Sequence, residues 1–503
     1  MPFLQPYKGS TRKLVIAFDV GTTYSGVAYA LLEPGQTPQI QGVTRFPGQE
    51  NAAGNSKIPS IMYYNPDGSV RAVGAEAALP GLALDAEDQN LHFVEWFKLH
   101  LRPRTLASED AIKSRVPPLP LRKTVVDVFA DFMAYMYACA RKYIIETHAA
   151  GSGLWLSVEK DIEFILGHPN GWGGNQQAQM RKAAVQGGLV PDEEAGCARV
   201  HFVSEGEASL HFCVQSGRAT ESVKDGQSVI IVDAGGGTID LSTYRFASVS
   251  PMVVEEIVVP DCIMQGATTV DTSTKQIFKD DKDMSYIKFG SMSCHDPAVG
   301  IRRGQVTLAG KDVASLFQPA IDAIVDAVRE QQQAAPITSR PTMALLVGGF
   351  AASPWLFSNL QASLSQMGVS IARPDRHTSK AVAEGAVSYF LTQWVSYRIA
   401  RLTYGTSKLV YYNPFNTEHI QRSMLAFRDL SGRQLLPGTL AEMFSTLCTV
   451  HADTSHVLKE TRNGPGGLYY ELVFKIVLLC GLTELKAQIR WMENRACDYR
   501  IRR

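Results

Sequence analysis

The stretch LVIAFDVGTTYSGVAYALL, Leu14–Leu32, sets an apolar run, one aspartate, a glycine-threonine-threonine turn and a second apolar run in succession. Taken alone it reads equally well as an ordinary β-hairpin with an acidic turn, because Asp and Gly are common turn formers. A second stretch, VIIVDAGGGTIDLSTYRF at Val229–Phe246, changes that reading. When Asp19 is aligned with Asp233, Gly21 falls on Gly235 without a gap. The unit strand, Asp-x-Gly, turn, strand therefore occurs twice, which implies two similar halves that present the same hairpin and can face one ligand.

Phosphate is the ligand such turns suit. Glycines let the backbone approach closely, and successive N–H groups of a tight turn make a concave anion site. Gly21, Gly235, Gly236 and Gly237 supply the glycines, and Thr22, Thr23 and Thr238 add hydroxyl donors. An aspartate beside a polyphosphate requires a cation between them, and the opposed carboxylates of Asp19 and Asp233 suit a Mg²⁺ that keeps several waters. Asp240 follows the glycine turn, which reverses the chain, so it is expected to reach the same cleft as Asp233.

A chain of 503 residues exceeds one core, so about two or three domains are expected. Lys plus Arg equals Asp plus Glu at 49 each, and no basic run stands out, which argues against nucleic acid or an anionic membrane as partner. The eight cysteines form no CxxC pair, so neither a zinc site nor a disulfide framework is expected. MPFLQPYKGSTRK carries no signal-peptide apolar run, which with the free thiols points to the cytoplasm. LVFKIVLLCGL, residues 472–482, contains Lys475, is too short to span a bilayer, and reads as a buried strand.

Along the chain, an Asn-Pro-Asp-Gly turn at residues 65–68 separates two short strands, and FVEWFKLHL at Phe93–Leu101 has helical spacing. Residues 122–148 carry apolar positions three and four apart and predict a long helix. IEFILGHPNGW and RVHFVSE read as strands around a helix at 176–186, and Glu205 ends the second of them. ASLFQPAIDAIVDAVREQQQ reads as a helix, and ALLVGGFAASPWLFSNL as strand, Gly348-Gly349 turn and helix. Strands and helices alternate through both halves, giving an α/β class, until β-rich alternation takes over from Tyr397 onward.

With these pieces in order, the sequence resembles the actin and heat-shock chaperone ATPase superfamily, and within it the seventy-kilodalton heat-shock family. FDVGTTYSGVAY resembles that family's first phosphate loop, VDAGGGTIDLS its second, LVGGFAASPWL its adenosine motif and VSEGEASLHF its first connecting helix. WFKLHL, SYRIARLTYG and AQIRWME are more similar to the twelve-A branch, which fungi also carry. The resemblance implies a two-lobed actin-like ATPase fold with duplicated mixed-sheet domains. Its first lobe would span 12–222 with an outer insertion at about 45–121, its second 223–391, and a small β-rich C-terminal region 392–503. It further implies that ATP and Mg²⁺ bind between the lobes, Asp19 and Asp233 holding the metal through water. Gly21, Thr22, Thr23, Gly235, Gly236, Gly237, Thr238, Gly348 and Gly349 would hold the nucleotide. Lys98 would stabilise charge on the γ-phosphate, while Glu205 and Asp240 would orient or deprotonate the attacking water. From the residues alone, Lys98 reads as a solvated helix lysine, Glu205 as a helix N-terminal charge and Asp240 as a strand-end acid.

Two departures from the family pattern stand out. Phe350-Ala351-Ala352 follows Gly348-Gly349 where the family has small or polar residues and soon an arginine, and the second outer lobe is cut short between Gly266 and Pro297, leaving room for one short helix at 272–284. Three functions fit this sequence: a divergent chaperone-like ATPase with protein clients or co-chaperones, a degenerate nucleotide-binding scaffold, and a small-molecule kinase of the same superfamily.

Overall fold

The computed structural model describes residues 4–49, 56–103, 116–217, 223–266, 278–282, 284–288, 295–297, 300–374, 378–399, 409–437, 460–465, 467–471, 474–480 and 485–491. The chain divides into two compact units, Met1–Arg401 and Leu402–Arg503.

The first unit holds two sheets of matching topology. One runs in the order Ile40–Gly42, Tyr24–Leu32, Lys13–Asp19, Glu163–His168, Val200–Ser204. The other runs Met252–Glu256, Ile239–Val249, Ser228–Ala234, Met343–Val347, Ser370–Ala372. In each, the first three strands are antiparallel and the last two join in parallel. A short extra strand attaches at the same place in both, Lys57–Pro59 on the first hairpin and Asp261–Ile263 on the second. The repeated hairpin is thus the visible part of a repeated sheet, and the fold is the two-lobed actin-like one. Its central strands read as continuous apolar runs because they are covered on both faces, and Val15 to Phe18 and Val229 to Val232 are all buried.

Two helices exchange between the lobes. The first linking helix, Glu205–Ser216, leaves the first sheet, yet its Leu210, Phe212 and Val214 pack on Val229, Ile231 and Tyr244 of the second. The second, Ala381–Thr392, leaves the second sheet and packs Val382, Ala386 and Val387 on Val15, Ala17 and Ala28 of the first. Ser204 caps the first helix by accepting from the Glu207 N–H at 3.2 Å, and Gly217 at φ 82° ends it. Where the helices cross, a Cβ on Gly385 would lie 1.8 Å from the Ala208 carbonyl oxygen. On the first linking helix, buried His211 stacks on Trp394 with ring centroids 4.6 Å apart.

The predicted long helix is Val125–Thr147, opened by a Thr124–Asp127 capping box. FVEWFKLHL is not an α-helix. His92–Glu95 pairs with Ile61–Tyr64 as a strand, Trp96 takes a left-handed φ of 53°, and Phe97–Leu101 follows as a 3₁₀ turn. Sheet pairing overrides the helical spacing, and the turn then buries Phe97 against Phe129 and Phe132. The helix expected at 272–284 falls partly on residues 267–277 and 283, outside those described, and residues 278–282 and 284 are not helical. Instead, Ser285–Lys288, Gln305–Leu308 and Ile301–Arg302 form a small antiparallel sheet. Strand Val395–Tyr397 joins the second sheet beside Met252–Glu256.

The second unit is β-rich. It contains a sheet of Leu409–Tyr411, Gln434–Pro437 and Phe427–Arg428, and two hairpins, Glu460–Gly464 with Gly467–Glu471 and Phe474–Cys480 with Leu485–Trp491.

Gly385→Ala should reverse the usual sign of a helix glycine replacement. In an open helix alanine gains about 1 kcal/mol, whereas here the methyl meets a carbonyl oxygen, and urea unfolding should show a loss of at least about 2 kcal/mol.

His211 gives a second test. Burial, then the nearby Arg398 charge, depress its pKa from the usual imidazole value to about 3. The folded chain keeps it neutral while the unfolded chain takes up a proton below about pH 6.5. Its contribution is therefore complete above that value and is lost as pH falls toward 3. His211→Phe should remove this slope, so the stability lost between pH 6.5 and 4.5 should be smaller than in the wild type by about 2 to 3 kcal/mol.

Candidate functional site

The register of the second hairpin sets Asp233 directly opposite Asp240, so both carboxylates lie on one face of the sheet. Helix Glu205–Ser216 points its N-terminal end at the same place. Ser209, four residues after Glu205 and on the same face of that helix, donates to Asp233 Oδ2 at 2.7 Å. Glu205 accepts from Lys98 Nζ at 2.5 Å in a pair that is almost fully buried. Lys98 reaches it from the 3₁₀ turn and lies 5.6 Å from the Trp172 ring centroid. It is a buried lysine, not a solvated one. Burial alone would lower its pKa, but Glu205, then Asp19 and Asp240, outweigh that and hold it raised.

The two turns touch. A Cβ on Gly236 would lie 2.2 Å from Thr23 Oγ1, and one on Gly237 2.6 Å from Thr22 Oγ1. Each turn is closed locally, Gly235 N–H donating to the Thr238 carbonyl at 2.9 Å and Gly21 N–H to Ser25 Oγ at 3.2 Å. Gly348, at φ 92°, lies where a Cβ would come within 2.4 Å of Asp233 Oδ1, a position only glycine fits. Gly349 follows it with open space around its α-carbon. Phe350 turns away into the second core and stacks on Phe317.

Three side chains that contact the candidate site escaped the sequence reading. Lys57 Nζ pairs with Asp19 Oδ2 at 2.7 Å. Ser209 was legible in principle, because it lies one helical turn from Glu205. Asn170 follows the carboxyl end of strand Glu163–His168, the place where parallel sheets set ligand-facing loops. Its backbone N–H donates to Asp240 Oδ1 at 2.6 Å, and its amide reaches the Leu241 carbonyl at 2.9 Å and Ser242 Oγ at 3.0 Å. It therefore ties the first lobe to the second beside the acids.

Asp19, Glu205, Asp233 and Asp240 are countered by Lys57 and Lys98. Burial, then the Glu205 charge, push the Asp233 carboxyl up to about 7, and the same two causes hold Asp240 well above the usual carboxylate range. Among the described residues, Asp240 Oδ2 is buried without a hydrogen-bond partner. A site short of positive charge with an orphaned carboxylate oxygen fits a divalent cation. Among the described residues no three His, Cys, Asp or Glu side chains converge as direct ligands.

The chain is 22% identical over 501 residues to heat shock 70 kDa protein 12A of Mus musculus, covering 79% of this chain and 72% of that protein. To heat shock 70 kDa protein 12B of Homo sapiens it is 21% identical over 511 residues, covering 80% and 72%. The similarity is to heat-shock-70 proteins of the twelve-A and twelve-B kind, at low identity over most of the chain. No family model matches the chain. Among solved structures, this heat-shock-70-like chain is similar to MreB5 of Spiroplasma citri bound to ADP, with a TM-score of 0.45 and 14% identity over 75% of this chain and 96% of that one. Among the described residues no helix is long and apolar enough to cross a membrane.

Asn170→Ala should destabilise the first unit by about 2 to 4 kcal/mol, because the Leu241 carbonyl and Ser242 hydroxyl both lose a buried donor. Chemical denaturation of wild type and variant measures this directly.

Proposed function

We propose that this heat-shock-70-like chain binds ATP with Mg²⁺ between its two hairpin turns and hydrolyses it slowly. The observation that carries the reading is the contact of Gly236 and Gly237 with Thr23 and Thr22, which gathers two sets of turn amides and hydroxyls around one point. Asp19 and Asp233 would hold the cation through water, and that cation would supply charge neutralisation at the phosphate oxygens. Lys98, fixed by Glu205, would add a point charge to the γ-phosphate. Asp240, buried and raised, would accept a proton from water, and Asn170 would orient it. A chaperone-like role in the cytoplasm, with protein clients or co-chaperones, rests on kinship alone.

One observation favours a second reading, nucleotide binding with little turnover. Both lysines of the site are already paired with carboxylates, Lys57 with Asp19 and Lys98 with Glu205, so each must leave a partner before it can meet a phosphate.

Calorimetric titration with ATP and Mg²⁺, followed by phosphate release with and without candidate sugar acceptors, separates ATPase, scaffold and kinase. Gly236→Val should abolish binding while circular dichroism stays native, since its side chain would force the touching turns apart; unchanged affinity in the folded variant refutes the site. Asp240→Asn should slow phosphate release at least about 100-fold while changing ATP affinity by less than about threefold, as for a group acting mainly in the transition state. Equal losses in both would assign Asp240 to ground-state binding.

A further inference from the structure

The two hairpins differ in a telling way beside their first aspartates. In the second hairpin Asp233 faces Asp240, and Asp240 in turn pairs with Cys262 on the added strand. In the first hairpin Asp19 faces Gly26, and Gly26 pairs with Lys57 on the equivalent added strand. Where the second lobe has a carboxylate and a thiol, the first has a glycine and a lysine. The substitution is concerted, because a Cβ on Gly26 would lie 3.2 Å from Lys57 Cγ and 3.6 Å from its Cε. Gly26 leaves the groove along which the lysine stem runs to Asp19.

The strand carrying Lys57 is held on several sides. Its residues pair with Tyr24, Ser25 and Gly26, Gln49 donates to the Lys57 carbonyl at 3.2 Å, and Ser60 N–H donates to the Thr23 carbonyl at 2.8 Å. The ammonium is largely withdrawn from solvent, with the side chain 17% exposed and that of Asp19 5%. It also acts on Asp233, where its charge opposes the upward push on the carboxyl. A single tethered cation thus serves both aspartates assigned to the metal.

We infer that Lys57 is a built-in occupant of the divalent-cation seat, so that a divalent ion binds only by displacing the ammonium from Asp19. This rests on the assignment of Asp19 and Asp233 to a hydrated cation. It makes the free site a poor binder of divalent ions, and it makes Lys57 a positioning residue that leaves Asp19 when metal arrives with a polyphosphate. The released ammonium then faces the phosphates, as a second cation beside Lys98.

Mn²⁺ alone is the probe, its binding to the full chain followed by the loss of free-ion electron paramagnetic resonance signal. Lys57→Met and Lys57→Gln should bind Mn²⁺ at least about tenfold more tightly than wild type, because a competing charge at contact distance is gone. Lys380→Met removes an equal charge nearby without touching Asp19, and should stay within about threefold of wild type. On the wild-type chain, saturating Mn²⁺ should raise the rate of reductive methylation at Lys57, read by mass spectrometry. Equal affinity in the Lys57 variants and wild type, an equal gain in Lys380→Met, or a methylation rate indifferent to Mn²⁺ would each overturn the inference. ATP titration of the same samples keeps the two readings apart. Tighter Mn²⁺ binding without any ATP binding would uphold the Lys57 displacement and sink the nucleotide site, and ATP binding without the Mn²⁺ effect would do the reverse.

Discussion

The close approach of Gly385 to the Ala208 carbonyl is the constraint on which the site depends. Each linking helix leaves one sheet and buries its apolar face on the other, so the two lobes are laced together at a crossing where no side chain fits. Fully burying Leu210, Phe212 or Val214 against the second sheet contributes about 1.5 to 3 kcal/mol per side chain. The same crossing sets the N-terminal end of helix Glu205–Ser216 at the mouth of the second hairpin, which is why Glu205 and Ser209 reach Lys98 and Asp233 at all.

From that geometry the electrostatics follow. Two hairpins brought face to face bring their acids together, and burying Asp19, Glu205, Asp233 and Asp240 in one place is costly unless cations answer them. Lys98 and Lys57 answer in part, from an outer turn and from an added strand. The remainder appears as the raised pKa of Asp233 and Asp240 and the orphaned Oδ2 of Asp240. Under the proposed function, the cation carried by a metal-bound polyphosphate would meet that remainder.

Much of this was legible in the sequence, for reasons of locality. Asp19, Gly21, Thr22, Thr23, Asp233 and Gly235 to Thr238 lie within two short hairpins, and spacing alone shows the repetition of Asp19 and Gly21 as Asp233 and Gly235. Gly348 and Glu205 stand at strand ends before helices, where the chain grammar marks them. Lys57 and Asn170 were invisible because their roles come from long-range pairing: Lys57 matters only once its strand is registered against Gly26, and Asn170 only once its loop meets Asp240. FVEWFKLHL misled for the same reason, its spacing yielding to the pairing of His92–Glu95 with Ile61–Tyr64. The departure at Phe350-Ala351-Ala352 takes physical form in the structure, where Phe350 is spent on the second core and the Arg373 guanidinium donates to the Ala351 carbonyl at 2.9 Å.

The central claim is that two sequence-distant turns grip one phosphate chain. Amide hydrogen exchange with and without Mg²⁺ and tripolyphosphate tests it most directly, because that ligand has no base to bind elsewhere. The amides of Thr22 and Thr23 and those of Gly235 to Thr238 should slow together, over the same ligand concentrations. Protection of one turn without the other, or of neither, would contradict a shared site.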